Sequence, residues 1–221
     1  MGVLLMLMTI GGVLTALILL TVAVFTKRSW LTRFTLGGVA VWFVFYAVML
    51  LGFSLSSSEE ILAFNEAKEY CGFYLDCHMH TVVAGVRTAK QIGDKTAAGE
   101  FYIVKVKVFS DAKNPNIPFR LLEPKAEVTD GSGRLFTRDH SAEDHLPTSQ
   151  IQLGQDIKGR QAIEKEIVFD ITGNTQDLKL LITEGYGIDK YIEAVLIGDD
   201  DSLGHKHTYF KIAEKADTAS R

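Results

Sequence analysis

Two long stretches near the start of the chain contain no charged side chain. The first runs from Val3 to Phe25 and the second from Phe34 to Leu55. Because an α-helix rises about 1.5 Å per residue, each stretch is long enough to cross the roughly 30 Å hydrocarbon core of a bilayer. The pattern therefore predicts a two-helix transmembrane hairpin within residues 1–56.

The segment between the two stretches carries the charges that determine topology. Lys27, Arg28 and Arg33 are its only charged residues, and all three are cations. Positive loops stay in the cytoplasm, so we predict a cytoplasmic-membrane protein with two spans and both termini on the periplasmic or extracellular side. All 27 acidic residues of the chain follow the second stretch, which agrees with export of that part.

The composition of the two stretches favours an anchor over a channel. Neither contains an ionisable residue that could mark an ion or proton path. The first lacks the basic start and small-residue cleavage site of a signal peptide, so we expect it to be retained. Gly11-Gly12 and Gly37-Gly38 are small enough to let two helices approach closely.

The rest of the chain contains two regions that differ in the spacing of their hydrophobic residues. Ile61, Leu62, Phe64 and Ala67 recur at helical spacing, so residues 57–78 are predicted to form a juxtamembrane helix and a cysteine loop. From Met79 the period becomes two, which predicts half-buried strands through residues 79–212. Residues 213–221 are expected to form a frayed tail.

Turn residues divide this second region into about eight short strands. Asp130-Gly131-Ser132-Gly133 and Gly173-Asn174 separate strand patterns, and the segment 198–204 links a strand over Tyr191 to Ile197 with the last one. The segment from His140 to Arg160 reads as a long polar loop. With no helix expected between strands, the predicted fold class is membrane-anchored all-β, a two-helix transmembrane hairpin followed by an antiparallel β-sandwich.

Several strands carry a resemblance to a known group of domains. Phe101 to Val108, the hairpin at Asp130 to Arg134, and the strands at Glu166 to Ile171 and Asp177 to Leu180 resemble the immunoglobulin-like extracellular domains of uncharacterised bacterial membrane proteins and lipoproteins. The resemblance covers Met79 to Ile212 and implies an immunoglobulin-like sandwich without implying an activity.

One cluster of soft metal ligands precedes the strands. Cys71, Cys77, His78, Met79 and His80 lie within ten residues. The first interpretation is a disulfide between Cys71 and Cys77, because an exported pair oxidises. The alternative is a copper site that uses all five residues, because copper prefers thiolate, thioether and imidazole ligands. Two membrane helices before an exported sandwich also resemble cytochrome oxidase subunit II, a copper protein, although that family has fewer residues between its cysteines.

Strand periodicity also places the two histidines of this cluster. His78 and His80 share parity with Val82, Ala84 and Val86, which we predict to be the core face. Elsewhere the chain has no nucleophile elbow, phosphate-binding glycine loop or zinc-protease helix, and its net charge of −4 without basic runs argues against nucleic acid. We therefore predict a non-enzymatic protein without a cofactor that binds membrane lipid and another envelope protein.

Overall fold

A computed structural model describes residues 2–71, 77–184 and 189–212 of the chain. The chain divides into two compact units, which are treated separately below. The first contains residues 1–58 and 191–206, and the second contains residues 59–190 and 207–221. The elements, in chain order, are α1 Gly2–Phe25, α2 Ser29–Ser56, β1 Glu60–Leu62, β2 Ala67–Tyr70, β3 Met79–Ile92, β4 Lys95–Ser110, β5 Pro118–Phe119, β6 Lys125–Thr129, β7 Leu135–Thr137, α3 His140–Glu143, β8 Ile157–Lys158, β9 Ala162–Ile171, β10 Lys179–Thr183, α4 Asp189–Val195 and β11 Thr208–Lys211.

The two uncharged stretches form the helices α1 and α2, as predicted. Both helices are long and apolar enough to cross a membrane. Only 6% of the most apolar window of α1 and 11% of that of α2 is buried in the structure, whereas a core helix of a water-soluble protein is mostly buried. Trp42 Nε1 donates to Thr9 Oγ1 at 3.0 Å, and this hydrogen bond fixes the position of α1 along the axis of α2.

The glycine pairs do not mark the closest approach of these helices. A Cβ atom built on Gly11, Gly12, Gly37 or Gly38 would meet nothing within 4 Å, so the expectation of close packing there is wrong. Ala16 and Ala23 are the buried residues of α1 beyond its first turn, so small side chains do face the partner helix at those positions. Around Gly12 and Gly38 the helices instead leave an apolar groove of about 380 Å³.

The second unit is a β-sandwich. A five-stranded sheet has the order β1-β11-β10-β6-β7, and a four-stranded sheet has the order β2-β3-β4-β9. Side chains from both sheets share one core, which includes Val104, Val106, Phe169, Leu180 and Phe210. The pairings within the sheets are antiparallel as predicted, except that β1 runs parallel to β11.

Strand β4 shows how the sequence pattern builds this sandwich. Val104, Val106 and Val108 point into the shared core, as their alternation predicts. On the other face of the same sheet, Phe101 and Ile103 pack with Val168 and with residues of and after α3. The four-stranded sheet is therefore covered on both faces over part of its length.

Three expectations about helices are wrong. Residues 57–70 contain the short strands β1 and β2 instead of a juxtamembrane helix, because both strands pair with the sheets. The predicted strand over Tyr191 to Ile197 is the helix α4 with the turn that follows it. The part after the hairpin is therefore not all-β, since α3 and α4 belong to it. The predicted tail 213–221 lies outside the described residues.

The segment from His140 to Arg160 is packed, not an uncovered loop. Asp139 caps α3 by accepting from the Ala142 amide at 3.0 Å, and Asp139 N donates to Val168 O at 2.8 Å. Ala142 and Leu146 are buried against the outer face of the four-stranded sheet. These contacts position the acidic side chain at the end of α3, which is central to the site described next.

Candidate functional site

The two cysteines form a disulfide bond. Cys71 and Cys77 are bonded to each other, as the first interpretation of the sequence predicts. The loop between them, residues 72–76, lies outside the described residues. With both sulfurs bonded, neither is a thiolate in this oxidised structure, and the copper-binding hypothesis applies only to a reduced chain.

The other three residues of the copper prediction do not lie on one face. His78 precedes β3, and Met79 and His80 lie on opposite faces of that strand. Met79 is buried in the core between the sheets. His78 Nδ1 lies 2.7 Å from Asp111 Oδ1, and His80 Nε2 lies 3.6 Å from the same oxygen. The hydrogen bond with His78 and the charges of both histidines lower the pKa of Asp111. The imidazoles are thus gathered on a carboxylate and not on the sulfurs.

The predicted core face of β3 is wrong at its start. Met79 and Val83 belong to the core, and the histidines have the opposite parity. The pairing of β3 with β4 shifts register between Val83 and Gly85, so Val86 returns to the core side after this irregularity. Strict alternation, extended back from Val86, therefore placed His78 and His80 on the wrong face.

The three cations that the sequence analysis expects to determine topology lie where the two helices of the hairpin connect. Lys27 adopts a positive φ of 52° in the turn after α1, and Arg28 stands at the N-cap position of α2. Arg33 lies one turn into α2. No sequence-predicted site residue from this connector takes part in the site of the sandwich.

The sandwich contains a hollow with a volume of about 580 Å³. It lies between the chain after β5, the end of β7, the α3 segment and β9. Its wall and rim are formed by Arg120, Leu121, Leu122, Glu123, Pro124, Arg138, His140, Glu143, Asp144, Ser149, Ile151, Gln152, Leu153, Gly154 and Lys165. Its volume lies in the range of ligand-binding cavities.

A buried carboxylate organises the wall of this hollow. Glu143 has 3% of its side chain exposed and accepts from Arg138 through Nε at 2.9 Å and Nη2 at 2.6 Å. Its Oε1 also accepts from the Val168 amide at 3.2 Å. His140 Nδ1 lies 3.8 Å from Oε2. The bidentate contact with Arg138 and the hydrogen bond from the Val168 amide together fix the position of the carboxylate.

A second cation lies beside the same carboxylate. Lys165, with 4% of its side chain exposed, has its Nζ 3.7 Å from Glu143 Oε2. The same Nζ donates to the carbonyl oxygens of Thr148 and Ser149 at 3.2 and 3.4 Å. The hydrogen bonds of Lys165 therefore connect β9 with the segment after α3, and its ammonium group places a positive charge in the wall of the hollow.

The charges of the hollow differ between its wall and its rim. The inner wall contains the half-buried Arg138 and the buried Lys165 against the single carboxylate of Glu143, which leaves an excess of one positive charge. The rim contains both signs, with Arg120, Glu123 and Asp144 all exposed. A group of negative charge that enters the hollow would therefore meet a net positive inner wall.

The sequence contains one signal for this site that the strand analysis missed. In β9, Lys165 has the same parity as Ile167, Phe169 and Ile171, which are buried core residues. A lysine on the core side of a strand must find a counter-charge, since an unpaired buried charge is very costly. Glu143 gives no comparable signal, because its burial depends on the fold of the loop.

The Asp130 turn contains another concentrated set of polar contacts, and these contacts hold the turn between β6 and β7. Asp130 Oδ1 accepts from the Ser132 hydroxyl at 2.6 Å and from the amides of Ser132 and Arg134, and Oδ2 accepts from Arg134 Nε. Gly133 supplies the positive φ of 81° that this turn needs. The Ser132 hydroxyl, followed by the amide and guanidinium of Arg134, holds the pKa of Asp130 well below its ordinary value.

The lowered pKa of Asp130 predicts how the stability of the sandwich depends on pH. The pKa of Asp130 is lower in the folded state than in the unfolded state. The carboxylate therefore contributes its full stabilisation above the unfolded pKa of about 3.9, and this stabilisation is lost as the pH falls below that value. Asp130→Asn is expected to lower the midpoint of thermal unfolding at neutral pH, and its difference from the wild type should shrink below about pH 4. Circular dichroism of the full-length protein in detergent measures both midpoints.

The control for this experiment is Asp156→Asn. The carboxylate of Asp156 is exposed and lies 3.9 Å from Arg120 Nε, so its loss should hardly change the midpoint at either pH. Equal effects of the two substitutions would show that the hydrogen bonds of Asp130 do not set the acid dependence.

Comparisons with known proteins find likeness in fold only. No protein-family model matches the chain, and no curated protein matches it. Among solved structures, a secreted protein from Mycobacterium tuberculosis matches with a TM-score of 0.42 at 10% identity, over 71% of this chain and 99% of that one. A conserved hypothetical protein from Bacillus anthracis matches with a TM-score of 0.37 at 13% identity, over 54% and 94%. An uncharacterised β-sandwich protein from Clostridium difficile matches with a TM-score of 0.38 at 9% identity, over 72% and 97%.

Proposed function

We propose that this protein is a membrane-anchored module whose exported, immunoglobulin-like sandwich binds another envelope protein without catalysing a reaction. In this proposal α1 and α2 span the cytoplasmic membrane, the connector with Lys27, Arg28 and Arg33 lies in the cytoplasm, and both termini lie outside. The observation that carries the binding role is the hollow with the buried Glu143 and Lys165 and the half-buried Arg138 in its wall.

Two features of the chain support export of the sandwich. The Cys71–Cys77 disulfide is typical of proteins outside the reducing cytoplasm. The connector between α1 and α2 carries three cations and no anion, as cytoplasmic loops do. Both features agree with a hairpin that keeps its short loop inside and places the rest of the chain outside.

The contacts of Glu143 support a binding role over acid–base chemistry. A general base must offer an accessible lone pair to a proton of the substrate. Glu143 has 3% of its side chain exposed, both of its oxygens accept from Arg138, and Oε1 also accepts from Val168 N. The carboxylate therefore serves to hold the two cations of the wall in place.

The charge of the wall indicates what the hollow would receive. Arg138 and Lys165 together exceed the charge of Glu143, so an acidic side chain or an acidic peptide segment of the partner fits the hollow best. Arg120 on the rim has 54% of its side chain exposed and could attract the same group on approach. We therefore propose an acidic segment of an envelope protein as the partner.

The test places a photoreactive amino acid at Gln152, an exposed residue of the rim, in the full-length protein in its native membrane. We expect one discrete cross-linked species. The matched position is Ile61, which is half exposed on β1 at the opposite edge of the same sheet from β7 and should give no adduct.

Charge reversal then tests the chemistry of the partner. Arg120→Glu should reduce the adduct about tenfold or more, since like charges across an interface cost several kcal/mol. Lys211→Glu makes the same charge change at an exposed residue of β11 and should leave the yield unchanged. Equal adducts at Gln152 and Ile61, or no adduct at Gln152, would contradict the proposal.

A further inference from the structure

The segment Tyr191–Lys206 belongs to the same compact unit as the two apolar helices. Tyr46 OH in α2 donates to the carbonyl oxygen of Val195 at 2.7 Å, and Lys206 N donates to Ser57 Oγ at 2.9 Å. Gly2 in α1 lies so close to Ile197 that an added Cβ would stand 2.1 Å from the carbonyl oxygen of Ile197. The segment, named here the return segment, therefore contacts both helices of the hairpin.

One of these contacts lies inside the length that a membrane span needs. A span of about twenty residues that starts at Arg33 reaches Phe53. Tyr46 lies seven residues before Phe53, which corresponds to roughly 10 Å along the helix axis. Gly2 lies at the outer end of α1, just before the apolar stretch that begins at Val3. The residue that Tyr46 contacts, Val195, is therefore deeper than the end of the α2 span, whereas Ile197 lies at the outer end of α1.

One exposed face of α4 is apolar, whereas Leu196 and Ile197, which follow α4, are buried. Tyr191 and Val195 are 75% and 43% exposed and lie four residues apart, so they share one face of α4. Glu193 is 3% exposed and faces inward. A helix in water buries its apolar face and exposes its charges, whereas a lipid-facing helix does the opposite.

The hydrogen bond of Tyr46 has a specific meaning at such a depth. The last carbonyl groups of a helix lack a partner within the helix. In hydrocarbon no water can supply that partner, so each open carbonyl costs several kcal/mol. The Tyr46 hydroxyl satisfies the carbonyl of Val195, the last residue of α4, from within the membrane helix.

We propose that the return segment dips into the outer leaflet of the bilayer beside the hairpin, with Tyr191 and Val195 facing the lipid. This proposal rests on the membrane anchoring proposed above. Asp199, Asp200 and Asp201 follow the contact of Ile197 with the outer end of α1, and Lys206 contacts Ser57 at the end of α2. The segment thus enters and leaves on the same side of the membrane.

The test uses spin labels on single cysteines in the full-length protein, reconstituted in vesicles of phosphatidylcholine and phosphatidylglycerol. The native cysteines are bonded to each other and do not take the label. Val195→Cys is the test site, Leu17→Cys on the exposed face of α1 is the lipid reference, and Ile61→Cys on β1 is the water reference. Frequent collisions of the spin label with oxygen indicate that it lies in lipid, and frequent collisions with a water-soluble nickel complex indicate that it lies in water.

We expect the label at Val195→Cys to match the one at Leu17→Cys, with frequent oxygen and rare nickel collisions. Tyr191→Cys, at a still more exposed residue, provides a second test site with the same expectation. If both test sites match Ile61→Cys while Leu17→Cys reports lipid, the return segment lies in water and the inference is wrong. If Leu17→Cys itself reports water, the membrane anchoring is wrong and the inference falls with it.

Discussion

Replacing Glu143 with alanine is expected to lower the free energy of unfolding of the sandwich by about 3–5 kcal/mol. The substitution leaves Arg138 and Lys165 in the wall of the hollow without their counter-charge, and 17% and 4% of these side chains are exposed. It also removes the acceptor of the Val168 amide. Removing one partner of a buried ion pair is far more costly than removing an exposed pair, because the remaining charge stays desolvated.

Urea unfolding of the full-length protein in detergent, followed by the sheet signal in circular dichroism, measures this effect. Tryptophan fluorescence does not report on the sandwich, because Trp30 and Trp42 both lie in the hairpin. The control is Glu164→Ala, which removes an exposed ion pair with Lys105 from the same strand β9 and should cost about 1 kcal/mol or less. Similar losses for the two substitutions would show that Glu143 does not organise the wall.

The parts of the fold that could be predicted from the sequence are those with a long, regular pattern. The uncharged stretches became α1 and α2, and the alternation from Tyr102 to Val108 became the centre of β4. Short elements were missed, because a strand of two to four residues, such as β1, β2 or β5, has no measurable period. Their pairing depends on neighbours that are distant in the sequence.

The wrong predictions have a common cause. The segment from Ser57 to Tyr70 opens with two serines and two acids and continues with apolar residues at helical spacing, yet β1 and β2 gain more by pairing with β11 and β3. Tyr191 to Ile197 reads as a strand in a sandwich, but the segment packs against apolar helices and forms α4. In both cases tertiary contacts decide between two conformations that the local sequence allows.

The candidate site was predictable only in its smallest part. The disulfide was predicted from the expected export of two nearby cysteines, and a lysine on the core side of β9 was visible in the sequence. Glu143, the carboxylate that pairs with Lys165, lies more than twenty residues earlier in a segment that reads as a polar loop. Only the packing of α3 on the outer face of the sheet brings the two together.

Replacing Lys27, Arg28 and Arg33 together with glutamine is expected to change a uniform orientation in the membrane into a mixture of two. These three cations are the only charges of the chain before Glu59. Without them, neither side of the hairpin is preferred by the positive-inside rule, since acidic residues contribute little to orientation. Protease added to intact spheroplasts measures the result, because it digests the sandwich only in molecules that export it.

The matched control neutralises three other lysines. Lys113, Lys158 and Lys211 are exposed residues of the sandwich, and all lie more than fifty residues after α2. Charges that far from a span do not affect its orientation, so glutamine at these positions should leave the sandwich fully accessible. If the wild-type sandwich resists the protease while the connector is cut, the orientation is inverted. The disulfide would then face a reducing compartment, and neither the proposed partner nor the return segment in the outer leaflet could be maintained.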